Sequence, residues 1–252
     1  MKGPWRAFLD NPSVDAARRR FALPIEFARA RLSPRGYFGL QLTLGALVLL
    51  GAAWLFGGIT EDVLSGDPLT DVDVRVANWF GAHSTPTLTQ VMLLISRFHD
   101  TIPMVSTACG LALFLAWKRQ WYWFMAFLIA MPGGMLLNTL IKEVIHRPRP
   151  DFSDLLLTLT TYGFPSGHAA AATLLYGFLA TYVIVCLRAR WWSALVALIA
   201  FFCVMLVGLS RIYLRVHYLS DVLGSMSEGV AWLALCLTAM NTLRQRAQGQ
   251  PP

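Results

Sequence analysis

Charge is scarce in this chain. Of its 252 residues only 14% are Asp, Glu, Lys or Arg while 56% are hydrophobic, a balance that excludes an ordinary soluble domain and points first to a membrane protein. Cysteine is scarce too. Cys109, Cys186, Cys203 and Cys236 contain no C-x-x-C pair and fall in four different apolar runs, so they read as buried apolar side chains, not as disulfides or ligands. No short apolar segment opens the chain: the first apolar run starts near residue 38, behind a basic polar stretch, and is long enough to span. A cleavable signal peptide is therefore not expected, and that run should stay as an anchor.

What the chain has in quantity is apolar length. A transmembrane helix takes about 20 largely apolar residues, and such runs recur between polar breaks at about 38–59, 102–117, 121–144, 169–187, 191–209 and 222–240. The expected fold is all-α, a polytopic membrane bundle with six transmembrane helices over 38–240, flanked by a basic cytoplasmic segment at 1–37 and a cytoplasmic tail at 241–252. The second run is the shortest and starts beside Pro103. It is expected to borrow a turn from the preceding segment, where Arg97, His99 and Asp100 make deep burial costly. In the long connection 60–98, Val72, Val76, Trp79 and Phe80 keep helical spacing and predict a helix lying flat on the outer surface, with a structural role. Residues 12–35 set Phe21, Leu23, Ile25 and Phe27 among arginines and fit either an interfacial helix or a solvated tail.

Sorted by the loops between these runs, fourteen of the 21 Lys and Arg residues fall on one side and seven on the other. The richer side faces the cytoplasm, which puts both termini there and predicts a multi-pass protein of the plasma (inner) membrane. The formal net charge of +7 then belongs to tails that meet anionic lipid, worth about 1 kcal/mol per residue. No nucleic-acid recognition motif accompanies it, so no nucleic-acid partner is expected. Five of the seven outer cations, Lys142, Arg147, Arg149, Arg211 and Arg215, crowd into two short segments against the orientation rule. Something at the outer face calls for positive charge.

Three clusters stand there. In the first, Pro148 and Pro150 lack amide hydrogens and stop the third span, so Lys142 lies on its last turns and Arg149 just beyond on a stiff segment. Two fixed cations suit an anionic group. The second, Pro165-Ser166-Gly167-His168, has the composition of a helix start, with Ser166 as N-cap, and aims backbone amides and the positive end of the helix dipole outward. Gly167 lets a ligand approach the backbone. The third sets Ser210-Arg211 before His217, with Asp221 four residues further on. If the sixth helix starts near His217, that carboxylate reaches one imidazole nitrogen and turns the other outward as a nucleophile. Two histidines, one orienting carboxylate, three cations, a hydroxyl and a helix N-terminus at one face make equipment for phosphoryl transfer. The sequence holds no carboxylate cluster of the kind that carries Mg²⁺ or a two-metal centre, so metal-independent chemistry with no cofactor is expected.

Lys142-x6-Arg149-Pro150, Pro165-Ser166-Gly167-His168 and Ser210-Arg211-x5-His217-x3-Asp221 together resemble the tripartite signature of the type 2 phosphatidic acid phosphatase superfamily, over roughly residues 100–240. The resemblance implies that His217 attacks phosphorus to form a phosphohistidine, that Asp221 orients it and that His168 protonates the leaving oxygen. It further implies that Lys142, Arg149, Ser166, Gly167 and Arg211 bind the phosphate, and that water then releases phosphate from His217. The pattern departs at Arg215, where glycine is common, and at Leu219, where proline is common; Arg215 is offered as a contact to a second phosphate or to the headgroup. The substrate expected is a lipid (pyro)phosphate held in the bilayer, with undecaprenyl pyrophosphate favoured by resemblance to compact bacterial members. Phosphatidylglycerophosphate, phosphatidic acid, lipid A phosphate and phosphotransfer to an alcohol are compatible, and non-catalytic lipid binding or transport is the alternative of a different class. The link 151–164, rich in leucine, is offered as a guide for the lipid tail. His146 reads as an interfacial side chain. Glu228, about 10 Å below Asp221 at 1.5 Å per residue, needs a partner that the sequence does not name. Oligomeric state is not legible.

Overall fold

The computed structural model describes residues 40–66, 68–150, 161–187 and 190–247. The interfacial helix offered for 12–35 and the leucines of the 151–164 link lie outside these residues. Eight helices and no strand are found among the described residues: α1 Leu40–Ser65, α2 Pro68–Ala82, α3 Pro86–Phe98, α4 Thr101–Trp117, α5 Trp121–Ile145, α6 Gly167–Leu187, α7 Arg190–Tyr213 and α8 Leu219–Ala247. Five of them, α1, α5, α6, α7 and α8, are long and apolar enough to cross a membrane, and α3 with α4 pass the same test as one broken span, bent by 48°. The protein is an all-α polytopic bundle.

The helices outrun the apolar runs that announced them. α6 begins two residues before 169, α7 continues to Tyr213 and α8 starts at Leu219. An apolar run marks only the stretch that hydrocarbon accepts, whereas backbone hydrogen bonding carries the helix on into the polar layer. Those extra turns hold the residues of interest.

The second span departs furthest from expectation. The segment before residue 102 supplies not a borrowed turn but a whole helix, α3, started by Pro86 and by Thr85, whose hydroxyl accepts from the Leu88 amide at 3.4 Å. α4 has 17 residues, about 25 Å at 1.5 Å each, and so falls short of a hydrocarbon layer of about 30 Å. His99 and Asp100 form the elbow between the two.

The chain divides into two compact units. In the unit Val48–Leu237, α6 packs between α5 and α7, α4 lies on α5, and both α2 and α3 lie on α7. Small residues set the closest approaches: Trp232 of α8 donates from Nε1 to the Ala130 carbonyl at 3.0 Å, and a Cβ on Gly133 would stand 2.7 Å from its ring. Large apolar side chains such as Trp54, Leu50, Ile102 and Leu113 stand outside, where hydrocarbon would accept them, while Arg211, His217, Asp221 and Glu228 are inside. The other unit joins residues up to Leu47 with those from Thr238. Within its described parts, Asn241 Nδ2 donates to Gln41 Oε1 at 2.6 Å.

Candidate active site

α7 ends in a turn in which Arg215 takes the left-handed conformation, φ 57°, which accounts for the glycine common at this place in the pattern. His217 follows on that turn, two residues before α8 rather than at its start. The carboxylate of Asp221 still reaches it, Oδ2 lying 3.3 Å from Nδ1. The same oxygen accepts the Tyr218 amide at 2.9 Å, an acid on the first turn reaching back to the residue before the helix. Capping and bracing are thus one contact, and α8 can start only in the register that holds the imidazole.

On the other side of the ring, Arg149 NH1 stands 3.0 Å from Nε2. A guanidinium has only donors, so Nε2 is the acceptor and the proton resides on Nδ1, facing Asp221. The Nε2 lone pair therefore points towards a cation, the arrangement of a nucleophile awaiting an anion. Burial pushes the His217 pKa well below its ordinary value; Asp221 pulls it back up, and Arg149 and Arg211 add to the depression. The depression and the Arg149 contact both favour the neutral ring. Arg149 itself is fixed by the Thr161 carbonyl at 2.6 Å, the Thr161 hydroxyl at 2.8 Å and the Val216 carbonyl at 2.9 Å.

The remaining residues singled out in the sequence come to the same place. Lys142 Nζ donates to the carbonyls of Pro165 and Tyr162, which ties the end of α5 to the start of α6. The Ser166 amide donates to the Asp221 carbonyl at 3.1 Å, which ties α6 to α8. The Ser166 carbonyl accepts the Ala170 amide at 3.0 Å, as an N-cap residue does, but its buried hydroxyl makes no capping bond and has no partner among the described residues. Arg211, also buried, donates from NH1 to Ser96 Oγ while its Nε has no partner among the described residues. Two orphaned buried donors are costly unless a ligand uses them. In front of Gly167, a Cβ would meet among the described residues only Asn138 Oδ1, at 3.8 Å. His168 Nε2 lies 2.9 Å from Asp100 Oδ1.

Several supporting residues were missed in the sequence. Arg147 bridges two carboxylates, NH1 to Asp221 Oδ1 and NH2 to Asp73 Oδ2 at 2.8 Å, with its guanidinium 4.7 Å over the Tyr218 ring. Burial opposes its charge, but Asp221 and Asp73 outweigh that and raise its pKa. Asp73 also takes the Ser220 amide at 2.9 Å, so α2, read as a surface helix, delivers a buried acid to the site's foundation. The signal was present: Asp73, Val76, Ala77 and Phe80 share one helical face, and a carboxylate on an apolar face needs a buried partner. Glu228 finds the partner the sequence could not name, Asn138 Nδ2 at 2.8 Å. His99 uses both nitrogens, on the Ile95 carbonyl and Tyr176 OH, each at 2.8 Å. His146 caps α5 in the left-handed conformation, φ 52°, with its ring edge-on to Tyr162. The guanidinium of Arg215 lies against Gly81 of α2, where a Cβ would come within 2.9 Å of NH1.

Residues 121–245 match the PAP2 superfamily. Phosphatidylglycerophosphatase B of Bacillus subtilis (strain 168) is 33% identical over 149 residues, 58% of this chain and 71% of that protein. Lipid A 1-phosphatase of Rhizobium johnstonii is 33% identical over 138 residues, 51% of this chain but only 50% of the relative. Among solved structures, the crystal structure of the PAP2 type phosphatidylglycerolphosphate phosphatase from Bacillus subtilis superposes with a TM-score of 0.69 and 26% identity, over 75% of this chain and 94% of that one. Aquifex aeolicus LpxE, at a TM-score of 0.54 and 20% identity over 66% of this chain and 94% of its own, shares the fold. The chain belongs to the PAP2 superfamily. It is an enzyme of the lipid phosphatase class, hydrolases that act on phosphate esters.

Proposed function

We propose that the protein hydrolyses a lipid phosphate at the outer face of the membrane through a phosphohistidine on His217. The observation that carries this is the set around one small space: the Nε2 lone pair of His217 beside Arg149, with the orphaned Ser166 Oγ and Arg211 Nε nearby at the α6 N-terminus. Nε2 attacks phosphorus, the bond to the lipid oxygen breaks, and His168 gives that oxygen its proton. Lys142, Arg149, Arg211, the Ser166 hydroxyl and the Gly167 amide hold the equatorial oxygens, whose charge grows in the transition state. Water then attacks the phosphohistidine, losing its proton to His168, and phosphate leaves.

A lipid substrate is supported by an apolar groove of about 420 Å³ that begins at Gly167 and His168 and runs between α4 and α5 past Met104, Ala108 and Phe127. From Thr101 to Ala112 it follows α4 for about 16 Å at 1.5 Å per residue, room for a tail that starts at the phosphate. The relatives' names favour phosphatidylglycerophosphate over the undecaprenyl pyrophosphate expected from the sequence. The outward orientation rests on the Lys and Arg distribution.

Two measurements test this reading. Purified protein given dioctanoyl phosphatidylglycerophosphate, phosphatidic acid and a polyprenyl pyrophosphate, with chelator present, is expected to release phosphate fastest from the first. No release from any of them would leave a binding or transport protein, release only without chelator would overturn the metal-independent scheme, and phosphate passed to an added alcohol would mark a transferase. The second is the pH profile. Only neutral His217 attacks, protonation on lowering pH stops it, and its pKa is depressed; the acid limb of kcat/KM is therefore expected below the ordinary imidazole value of about 6.5. An acid limb at or above that value would contradict the buried, neutral nucleophile.

A further inference from the structure

Asp100 occupies the N-cap position of α4, with extended backbone at φ −63° and ψ 164°, and Asp is among the best residues for that task. Its carboxylate makes no capping hydrogen bond. It turns instead across to α6 and holds His168 Nε2 at 2.9 Å. An acid that leaves its own helix end unserved to grip a histidine on another helix is placed for the histidine.

We propose that Asp100 is the positioning residue of the acid–base histidine, so that the site contains two His–Asp pairs with opposite duties. The inference rests on the phosphatase reading above. His217 is buried and held neutral by its surroundings to attack; His168 is partly exposed and needs a carboxylate to hold its proton until the lipid oxygen takes it. Because Nε2 is engaged by Asp100, Nδ1 is the nitrogen that donates to the leaving oxygen and later accepts the proton of the attacking water. The charged and titratable groups facing His168 are Asp100 and His99 at the elbow and Arg211 from α7, whose charge opposes an imidazolium. Among the described residues, Asp100 is the one acid facing it. This gives the break between α3 and α4 a purpose: the elbow brings Asp100 to His168, and Ser96 one turn earlier receives Arg211.

The test compares Asp100→Asn with wild type in kcat against pH, on dioctanoyl phosphatidic acid and on p-nitrophenyl phosphate, whose leaving group needs little protonation. Asn still serves an N-cap, so α4 keeps its start. On the lipid, kcat is expected to fall about 10²-fold with KM within about threefold, and the basic limb to move down by about one pH unit as His168 gives up its proton more readily. On the nitrophenyl ester the loss should be under about threefold, and Asp100→Glu should restore much of the lipid rate. Equal losses on both substrates with an unmoved basic limb would overturn the inference while leaving the phosphatase reading intact. Wild-type protein inert on every phosphate would remove that reading instead.

Discussion

Replacing His217 with Ala is expected to lower phosphate release by about 10⁴-fold or more, because the proposed covalent route then loses its nucleophile and not merely a contact. Binding should survive: Lys142, Arg149 and Arg211 remain, so vanadate should still bind while a radiolabelled phosphate group no longer becomes attached to acid-quenched protein. Replacing His168 should slow both the appearance of that label from a lipid substrate, since the first step then lacks its acid, and its loss, since the second step lacks its base. A His217→Ala protein that still turns over at more than a few per cent of the wild-type rate would end the phosphohistidine scheme.

The second large effect is expected far from any motif. Arg147→Ala leaves Asp73 and Asp221, both almost fully buried, without their shared cation. Removing one partner of a buried ion network costs about 3–5 kcal/mol, which for a chain of this size lowers the thermal unfolding midpoint by about 10 °C. Activity should fall with it, because Asp221 loses one of the groups that fix its orientation towards His217. Asp73→Asn should cost less, as the amide keeps a hydrogen bond to Arg147 or Ser220. In the double variant the two losses should fall short of additive, which is the mark of a shared network. Thermal melts in detergent measure all three, and an Arg147→Ala protein as stable as wild type would refute the bridging role.

Why one arginine in the cationic segment was legible and its neighbour was not is a matter of range. Lys142, Arg149, Ser166, His168, Arg211 and Asp221 announce themselves through local chemistry: a helix stopped by prolines, a helix started by Ser-Gly, an acid one turn from an imidazole. The role of Arg147 depends on Asp73, 74 residues earlier, and that of Glu228 on Asn138, 90 residues earlier. Nothing local marks either pair. The spans were legible because hydrocarbon imposes a length, which α3 escapes: with Thr, Gln, Ser and Arg among its apolar residues it satisfies no membrane criterion alone. Asp100 was noticed only as a reason against deep burial. Its duty became visible once the elbow placed it beside a histidine 68 residues later.

The shortness of α4 ties catalysis to the thickness of the host membrane. Within the broken span of α3 and α4, the α4 arm of about 25 Å matches a thin hydrocarbon layer, and a thicker layer is expected either to pinch inward around the elbow or to draw it below the headgroups. Asp100 would then face hydrocarbon rather than water, where a charged carboxylate is expensive, and its hold on His168 would weaken. Lipid chain length, with no contact to the reacting phosphate, is thereby expected to influence turnover.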